Sequence, residues 1–349
     1  MATPLSDAGS EELAPRAAML RLIRGFSVSR ALWVAATLGI ADLLEDGPRE
    51  GAELARATGT HAPSLLRVLR ALCSVGVFAQ DHAERFALTP IGATLRSAAP
   101  DSARAWAAAM LGGEHYQAWG DVMHSVRTGE IAFDHLFGQD VWSYRAQHAG
   151  HATLFDEAMA DLSGPFARSL LAAYPFARCR QLVDVGGGDG TLVEALLTAA
   201  PALTAVVLDL PHVAAKARRR MGAAGLGARC EVIAGSMFES VPAGADVYIL
   251  SRIIHDWPDE RAVTILTTCR QAMPGGSALL VIERLLPDRV DRSITSEAVA
   301  FSDLTMMVMN GGRERTEAEY RALFDAAGLG HTRTIATTGE YSVLETAPA

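Results

Sequence analysis

The chain has 349 residues and a formal net charge of −9; half of it is hydrophobic and a fifth is charged. That length suits two domains, and that hydrophobic content buries a sizeable core, which excludes wholesale disorder. The acidic balance argues against a protein that lives on nucleic acid. Four cysteines (Cys73, Cys179, Cys230 and Cys269) stand far apart with no CxxC pair, so neither a zinc site nor a disulfide framework is expected.

No apolar run reaches the roughly 18 residues that span a bilayer. The opening MATPLSDAGSEELAP lacks the basic and apolar regions of a signal peptide, so the expectation is a cytoplasmic protein with reduced thiols. Residues 1–12 are polar. From Leu13 to about Leu44 apolar residues recur at threes and fours, the helical period, with Arg21, Arg24 and Arg30 between them. Helical stretches REGAELARATG and HAPSLLRVLRALCSVGVF follow, then a hairpin-like segment through Asp81–Ala87 and a helix from Thr89. That outline is a winged helix-turn-helix, whose sharp reading is DNA binding. Residues 1–100 carry ten Arg against ten Asp and Glu, with no basic stripe, which favours a packing and dimerisation module.

Residues 101–175 read as all-helical and aromatic-rich, with one break at RTGEIAFDHLFG. From Gln181 short β-rich runs alternate with helical ones, the pattern of an open, mostly parallel α/β sheet. The expected division is a front module over 1–100, a helical linker and pocket segment over 101–175, and an α/β domain over 176–349.

The sharpest motif is LVDVGGGDG, a strand that runs into glycines and then a helix. Glycines let backbone approach a ligand, and the helix start offers free N–H groups. The nicotinamide fingerprint needs glycine or alanine where Thr191 stands. Asp184, Gly186, Gly188 and Gly190 fit instead the D-x-G-x-G-x-G spacing used for S-adenosylmethionine (SAM). Asp209, closing TAVVLDL, is placed to accept two ribose hydroxyls, with a cap on the following helix as the alternative. Gly235–Phe238 follows the third strand, where Ser236 and Met237 are placed for an adenine or for an ordinary turn.

His255, in IIHDWPDE, follows the strand DVYILS at the edge where such sheets present chemistry. Glu283 ends the next strand, and Glu314 sits in GGRERT. Two carboxylates beside a histidine orient the imidazole and favour its charged form, which suits a general base. Pro258, Asp259 and Glu260 are an ordinary helix opening. Met306, Met307, Met309 and Asn310 suit a flat aromatic acceptor or plain core. No metal-ligand cluster is legible.

Taken together, LVDVGGGDG, VVLDLP, GSMF, HDWPDE, VIERLLP and GGRERT resemble the SAM-dependent small-molecule O-methyltransferases of the plant phenolic and bacterial antibiotic type. The likeness covers the chain from about Leu13. It implies a Rossmann-like α/β methyltransferase domain behind an N-terminal all-α, winged-helix dimerisation domain, and a homodimer that acts on a small aromatic substrate without nucleic acid or membrane. His255 becomes the base, with Glu283 and Glu314 beside it. The implied SAM contacts are Asp184, Gly186, Gly187, Gly188, Asp209, Leu210, Ser236, Met237, Phe238, Ser251, Arg252, Met159 and Ser163. The implied acceptor contacts are Trp106, His115, Phe155, Asp256, Met306, Met309 and Asn310. Two departures stand out: many members carry Asp at Ser236 and Lys at Ser251. A subset of the family has exchanged methylation for SAM-assisted decarboxylation or hydroxylation, and a SAM-sensing winged-helix regulator is the reading from another class.

Overall fold

The computed structural model describes residues 14–349, except for the side chains of residues 163–165. The polar lead-in expected over residues 1–12 lies outside the described residues. The chain divides into two compact units, residues 1–112 and 113–349.

In the first unit a helix over Pro15–Thr37 opens on a proline at its first turn, where the missing N–H costs nothing. One side of it leaves Met19, Leu20, Leu22, Ile23 and Phe26 exposed, and Phe26 keeps 62% of its surface. A short Ile40–Leu43 helix follows, and then β1 (Arg49–Glu50). Helices Gly51–Thr58 and Ala62–Ser74 come next. The first is fixed by a capping box between Glu50 and Glu53, and its end by Gly59 in the left-handed region. Strands β2 (Phe78–Gln80) and β3 (Arg85–Leu88) form the expected hairpin, with Asp81 accepting from the Ala83 and Arg85 amides across the turn. The strand order is β1-β3-β2, so the sequence read as the start of a helix at Arg49 and Glu50 is instead the third strand of a small sheet. The helix expected from Thr89 is a single turn, Pro90–Ala93, capped by the Thr89 side chain.

The second unit opens with helices over Gly113–Gly120, Val122–Thr128, Ala132–Phe137, Val141–Gln147 and Ala149–Ala173. More breaks occur than the one expected. Gly129 and Gly138 end helices at positive φ, and Asp140 restarts one by accepting from the Trp142 and Ser143 amides. FDHLF, read as a break, is a helix of its own.

The sheet is built from β4 (Gln181–Val185), β5 (Thr204–Asp209), β6 (Cys230–Ala234), β7 (Val247–Ser251), β8 (Ala278–Glu283), β9 (Leu329–Ala336) and β10 (Ser342–Pro348). Its order is β6-β5-β4-β7-β8-β10-β9. The first five strands are parallel and almost wholly apolar because helices cover both faces. The final β9–β10 hairpin adds antiparallel strands that the sequence reading did not separate; the burial of β9 is irregular rather than alternating. Two cores flank the sheet, one built on Leu182, Leu196, Ile249 and Ile282, the other on Val183, Leu250, Leu266 and Phe324. Each such side chain contributes about 1.5–3 kcal/mol by leaving water. Parallel pairing in register brings the carboxyl ends of β4 to β8 to one edge, with Val185 beside Leu208, Asp209 beside Ala234 and Ser251 beside Ile282. The strand order reverses between β4 and β7, and a ligand crevice forms at such a point.

Candidate active site

The glycine loop hangs on β5, with the Gly186 amide donating to the Leu208 carbonyl at 2.8 Å. At Gly186 φ is +71, and an added Cβ would lie 2.5 Å from the Ile253 side chain; at Gly187 it would lie 2.7 Å from the Asp184 carboxylate. Glycine there is a steric requirement. Asp189 ties the loop to the helix that follows by accepting from Thr191, and to the Pro211–Ala223 helix by accepting from Arg220.

Asp209 is not a helix cap. One of its oxygens accepts from the Gly188 amide at 2.8 Å and the other from Leu210 at 2.7 Å, while Leu210 occupies the cap position of the Pro211–Ala223 helix. Burial pushes the Asp209 carboxyl up to about 6, against those two amides, with Asp156 adding to the rise. Burial, and then Asp209, push Asp184 up to about 7. Asp156 pairs with Lys216, which ties the Ala149–Ala173 helix to the Pro211–Ala223 helix; Phe155 and Met159 ride on the former. The side chain of Ser163 lies outside those described.

After β6, Ser236 accepts from the Phe238 amide and closes the turn, and Met237 reaches toward Gly186. Phe238 packs edge-on to Trp257 at 4.8 Å with the Arg261 guanidinium 3.9 Å over it. Leu210 is exposed. The Ser251 hydroxyl is buried without a hydrogen-bond partner among the described residues. Arg252 takes a positive φ of 58, a strain of a kind that collects at functional sites. Its guanidinium stands 5.7 Å from the Phe166 ring centroid. A carboxylate pair, a cradle open at Gly188, and an orphaned hydroxyl form a donor and acceptor set that fits an adenosyl ligand with an amino-acid tail.

His255 sits in the single 3₁₀ turn Ile254–Asp256 that follows β7. Glu283, wholly buried at the end of β8, holds that turn: one of its oxygens accepts from the amides of Ile253 (3.1 Å), Ile254 (2.8 Å) and His255 (3.3 Å). Its other oxygen lies 3.5 Å from His255 Nδ1. Glu314 Oε1 is 3.0 Å from the same nitrogen and also accepts from the Ser302 hydroxyl at 2.6 Å. His255 Nε2 faces the other way, 3.6 Å from Asp256 Oδ1.

Burial alone would lower the histidine pKa, but Glu283, Glu314 and Asp256 outweigh it and bring it up to about 10. Burial pushes Glu283 up to about 7 despite the imidazole. Glu314 stays below the ordinary carboxylate range: burial opposes ionisation, but the imidazole, Ser302 and Arg284 prevail. Burial raises Asp256, which accepts from Asn310 at 2.8 Å.

The sequence reading missed what fixes this cluster. Arg315, fully buried, donates to the carbonyls of Ile254 (3.1 Å) and Trp257 (2.8 Å) and to Asp259 (2.7 Å). Asp259 is therefore more than the helix-opening residue it resembled. GGRERT lies against the histidine turn, with the Arg313 amide donating to the His255 carbonyl at 2.9 Å, and a side chain at Gly312 would collide with that carbonyl. The only signal in the sequence was the glycine pair.

His255, Glu283 and Glu314 also place one donor atom each within 4.8 Å of the others, as do Asp121, His124 and His135, so both sets have the spacing of metal ligands.

Of the residues expected at the acceptor, Met306 and Met309 lie on the Ile294–Met309 helix, with Asn310 just past its end. Asn310 reaches both Asp256 and the Met306 sulfur. Met309 is buried against Ala118, Phe133 and Val141. His115 is buried on the Gly113–Gly120 helix. Phe155 packs edge-on to Trp142, which stacks on Trp257. Arg145 shares this cluster, its guanidinium 3.6 Å from the Phe155 ring centroid, and nothing in the sequence singled it out. Trp106 belongs to the first unit, on the Arg104–Met110 helix.

Comparison with known proteins identifies the family. Residues 119–330 match the family model for an O-methyltransferase domain, and residues 20–97 that for an O-methyltransferase dimerisation domain. The chain is 42% identical to the phenazine O-methyltransferase PhzM of Lysobacter antibioticus, over 95% of both chains. It is 40% identical to the O-demethylpuromycin-O-methyltransferase of Streptomyces alboniger, over 95% of this chain and 88% of that one. Among solved structures, the neocarzinostatin-biosynthesis O-methyltransferase NcsB1, in complex with SAM and 2-hydroxy-5-methyl naphthoic acid, matches with a TM-score of 0.81 at 35% identity. That match covers 95% of this chain and 98% of the other. The chain belongs to the SAM-dependent O-methyltransferase family.

Proposed function

We propose that this enzyme transfers a methyl group to a phenol or quinol hydroxyl of a small aromatic natural product, with His255 as general base and without a metal ion. SAM supplies an electrophilic methyl group on a sulfonium. The protein's own residues hold the acceptor hydroxyl and take its proton.

The observation that carries this reading is the division of labour on the imidazole. Glu314 is ionised and can only accept, so Nδ1 donates to it at 3.0 Å and Nε2 is left as the basic nitrogen. The acceptor proton goes to Nε2, and the imidazolium that forms is stabilised by Glu283 and Glu314. Asn310, by donating to Asp256, fixes the carboxylate nearest that nitrogen. On this reading the cluster works as a proton site, with Glu283 Oε1 engaged by three amides and Glu314 Oε1 by Nδ1 and Ser302, and chelators are expected to leave the rate unchanged.

For the cofactor, Asp209 serves the ribose hydroxyls; Asp184 and Gly186 to Gly188 serve the amino-acid tail, with Ser251, Arg252 and Met159 nearby. Leu210, Ser236, Met237 and Phe238 border the adenine. His115, Phe155, Asp256, Met306, Met309 and Asn310 line the acceptor. The dimerisation-domain match and the exposed apolar row on Pro15–Thr37 support a homodimer through the first unit.

The test is His255→Ala. Methyl transfer is expected to fall by about 10²–10⁴-fold, while calorimetric affinity for S-adenosylhomocysteine, the demethylated product, stays within about twofold. Retained transfer, or lost binding, would remove His255 from this role.

A further inference from the structure

The helix over Val141–Gln147 carries two hydrogen-bond donors that the reaction above does not use. Arg145 is 6% exposed, and its Nε donates to Glu114 at 3.3 Å. A guanidinium has five N–H groups in a planar fork, and none of the other four donates to a described residue. The pairing with Glu114 is therefore one-sided, where two parallel bonds would satisfy both partners. Three residues earlier, on the same helical face, the Trp142 indole nitrogen is buried with no hydrogen-bond partner among the described residues. A buried indole N–H ordinarily finds one.

Packing holds both groups still. Phe155 lies 3.6 Å beneath the guanidinium and meets Trp142 edge-on at 6.1 Å, and Trp142 stacks on Trp257 at 6.4 Å. Trp257 directly follows the His255–Asp256 turn, and Arg145 stands in the field of Asp256. Rigidly packed donors beside the base, with N–H groups that no described residue accepts, are the ingredients of a ligand subsite.

We propose that Arg145 and Trp142 form a second polar subsite that takes a carbonyl or carboxylate oxygen carried on the acceptor ring. The proposal rests on the aromatic acceptor argued above. A planar sp² oxygen can receive several N–H groups at once, which a bare hydrocarbon edge cannot. Glu114, which also accepts from His151, offsets the charge of Arg145, so the subsite does not demand an anion.

The test uses the full chain saturated with S-adenosylhomocysteine and titrated calorimetrically with a naphthol, its hydroxynaphthyl methyl ketone and its hydroxynaphthoate. At least one oxygen-bearing compound is expected to bind about tenfold tighter than the bare naphthol. A gain for the ketone alone identifies a carbonyl site, and a gain for the naphthoate alone a carboxylate site. Trp142→Phe, which keeps the ring, and Arg145→Lys are expected to cut that advantage severalfold and leave naphthol and S-adenosylhomocysteine affinities unchanged. Equal binding of all three compounds to the parent enzyme overturns the proposal, as does a uniform loss across all three in Trp142→Phe. These arms read binding, not turnover. An enzyme that shows the oxygen preference yet transfers no methyl group would sink the reaction assignment and leave the subsite standing.

Discussion

The two halves of the sheet edge solve different problems with different materials. Beyond β4 and β5 the cradle is mostly backbone: glycine amides tied to Leu208 and Asp209, with steric room created by missing side chains. Beyond β7 and β8 the site is made of buried ionisable side chains, one histidine among Glu283, Glu314 and Asp256, locked from behind by Arg315. The first needs shape, which tolerates no added atom. The second needs charge, which tolerates no lost partner. Damage to the cradle should therefore appear as weakened cofactor affinity with an unchanged pH profile, and damage to the cluster as a slower or pH-shifted chemical step with affinity intact.

The largest effect that would break this division is in His255→Ala, already described: a fall of about 10²–10⁴ in transfer must leave product binding alone. Next comes Gly186→Ala. A methyl group 2.5 Å from Ile253, at a φ of +71, forces the loop to shift. Strain of about 1–3 kcal/mol is expected, read as roughly 10- to 100-fold weaker binding of S-adenosylhomocysteine. An unchanged affinity would mean that the glycines are not the cradle. A smaller effect sharpens the comparison at the other end. Arg315→Lys keeps a charge but cannot span Ile254, Trp257 and Asp259 together. It should lower the melting temperature by several degrees and slow transfer more than it weakens cofactor binding. A loss confined to cofactor affinity would place Arg315 on the wrong side of the division.

The two regions were also unequally legible. LVDVGGGDG could be read as a cradle because strand, loop and helix are contiguous, and backbone conformation is a local property. Asp209 was placed correctly at a strand end, but the choice between ligand contact and helix cap needed its bonds to Gly188 and Leu210. His255, Glu283 and Glu314 were recognisable as a set, yet the three amides that Glu283 accepts are set by the β7–β8 register and left no trace in composition. Arg315 stood inside the quoted GGRERT motif, and its partners lie 56 to 61 residues away. Arg145 and its partner Glu114 are 31 residues apart in a segment that reads simply as aromatic-rich helix. The β9–β10 hairpin escaped because β9, the edge strand, mixes buried and exposed residues without a strict period of two.

The most direct measurement is the pH dependence of kcat/KM for methyl transfer, in the parent enzyme and in Glu283→Gln. A base must be deprotonated to act, so the rate should rise with pH. Because the carboxylates raise His255 to about 10 from an ordinary 6.5, that rise should fall well above neutral pH. Glu283→Gln preserves an oxygen for the three backbone amides and removes one negative charge, so the rising limb should move to lower pH. A profile that rises near 6.5 in the parent enzyme, or a limb that stays in place in the variant, would contradict a histidine base held in a carboxylate cluster.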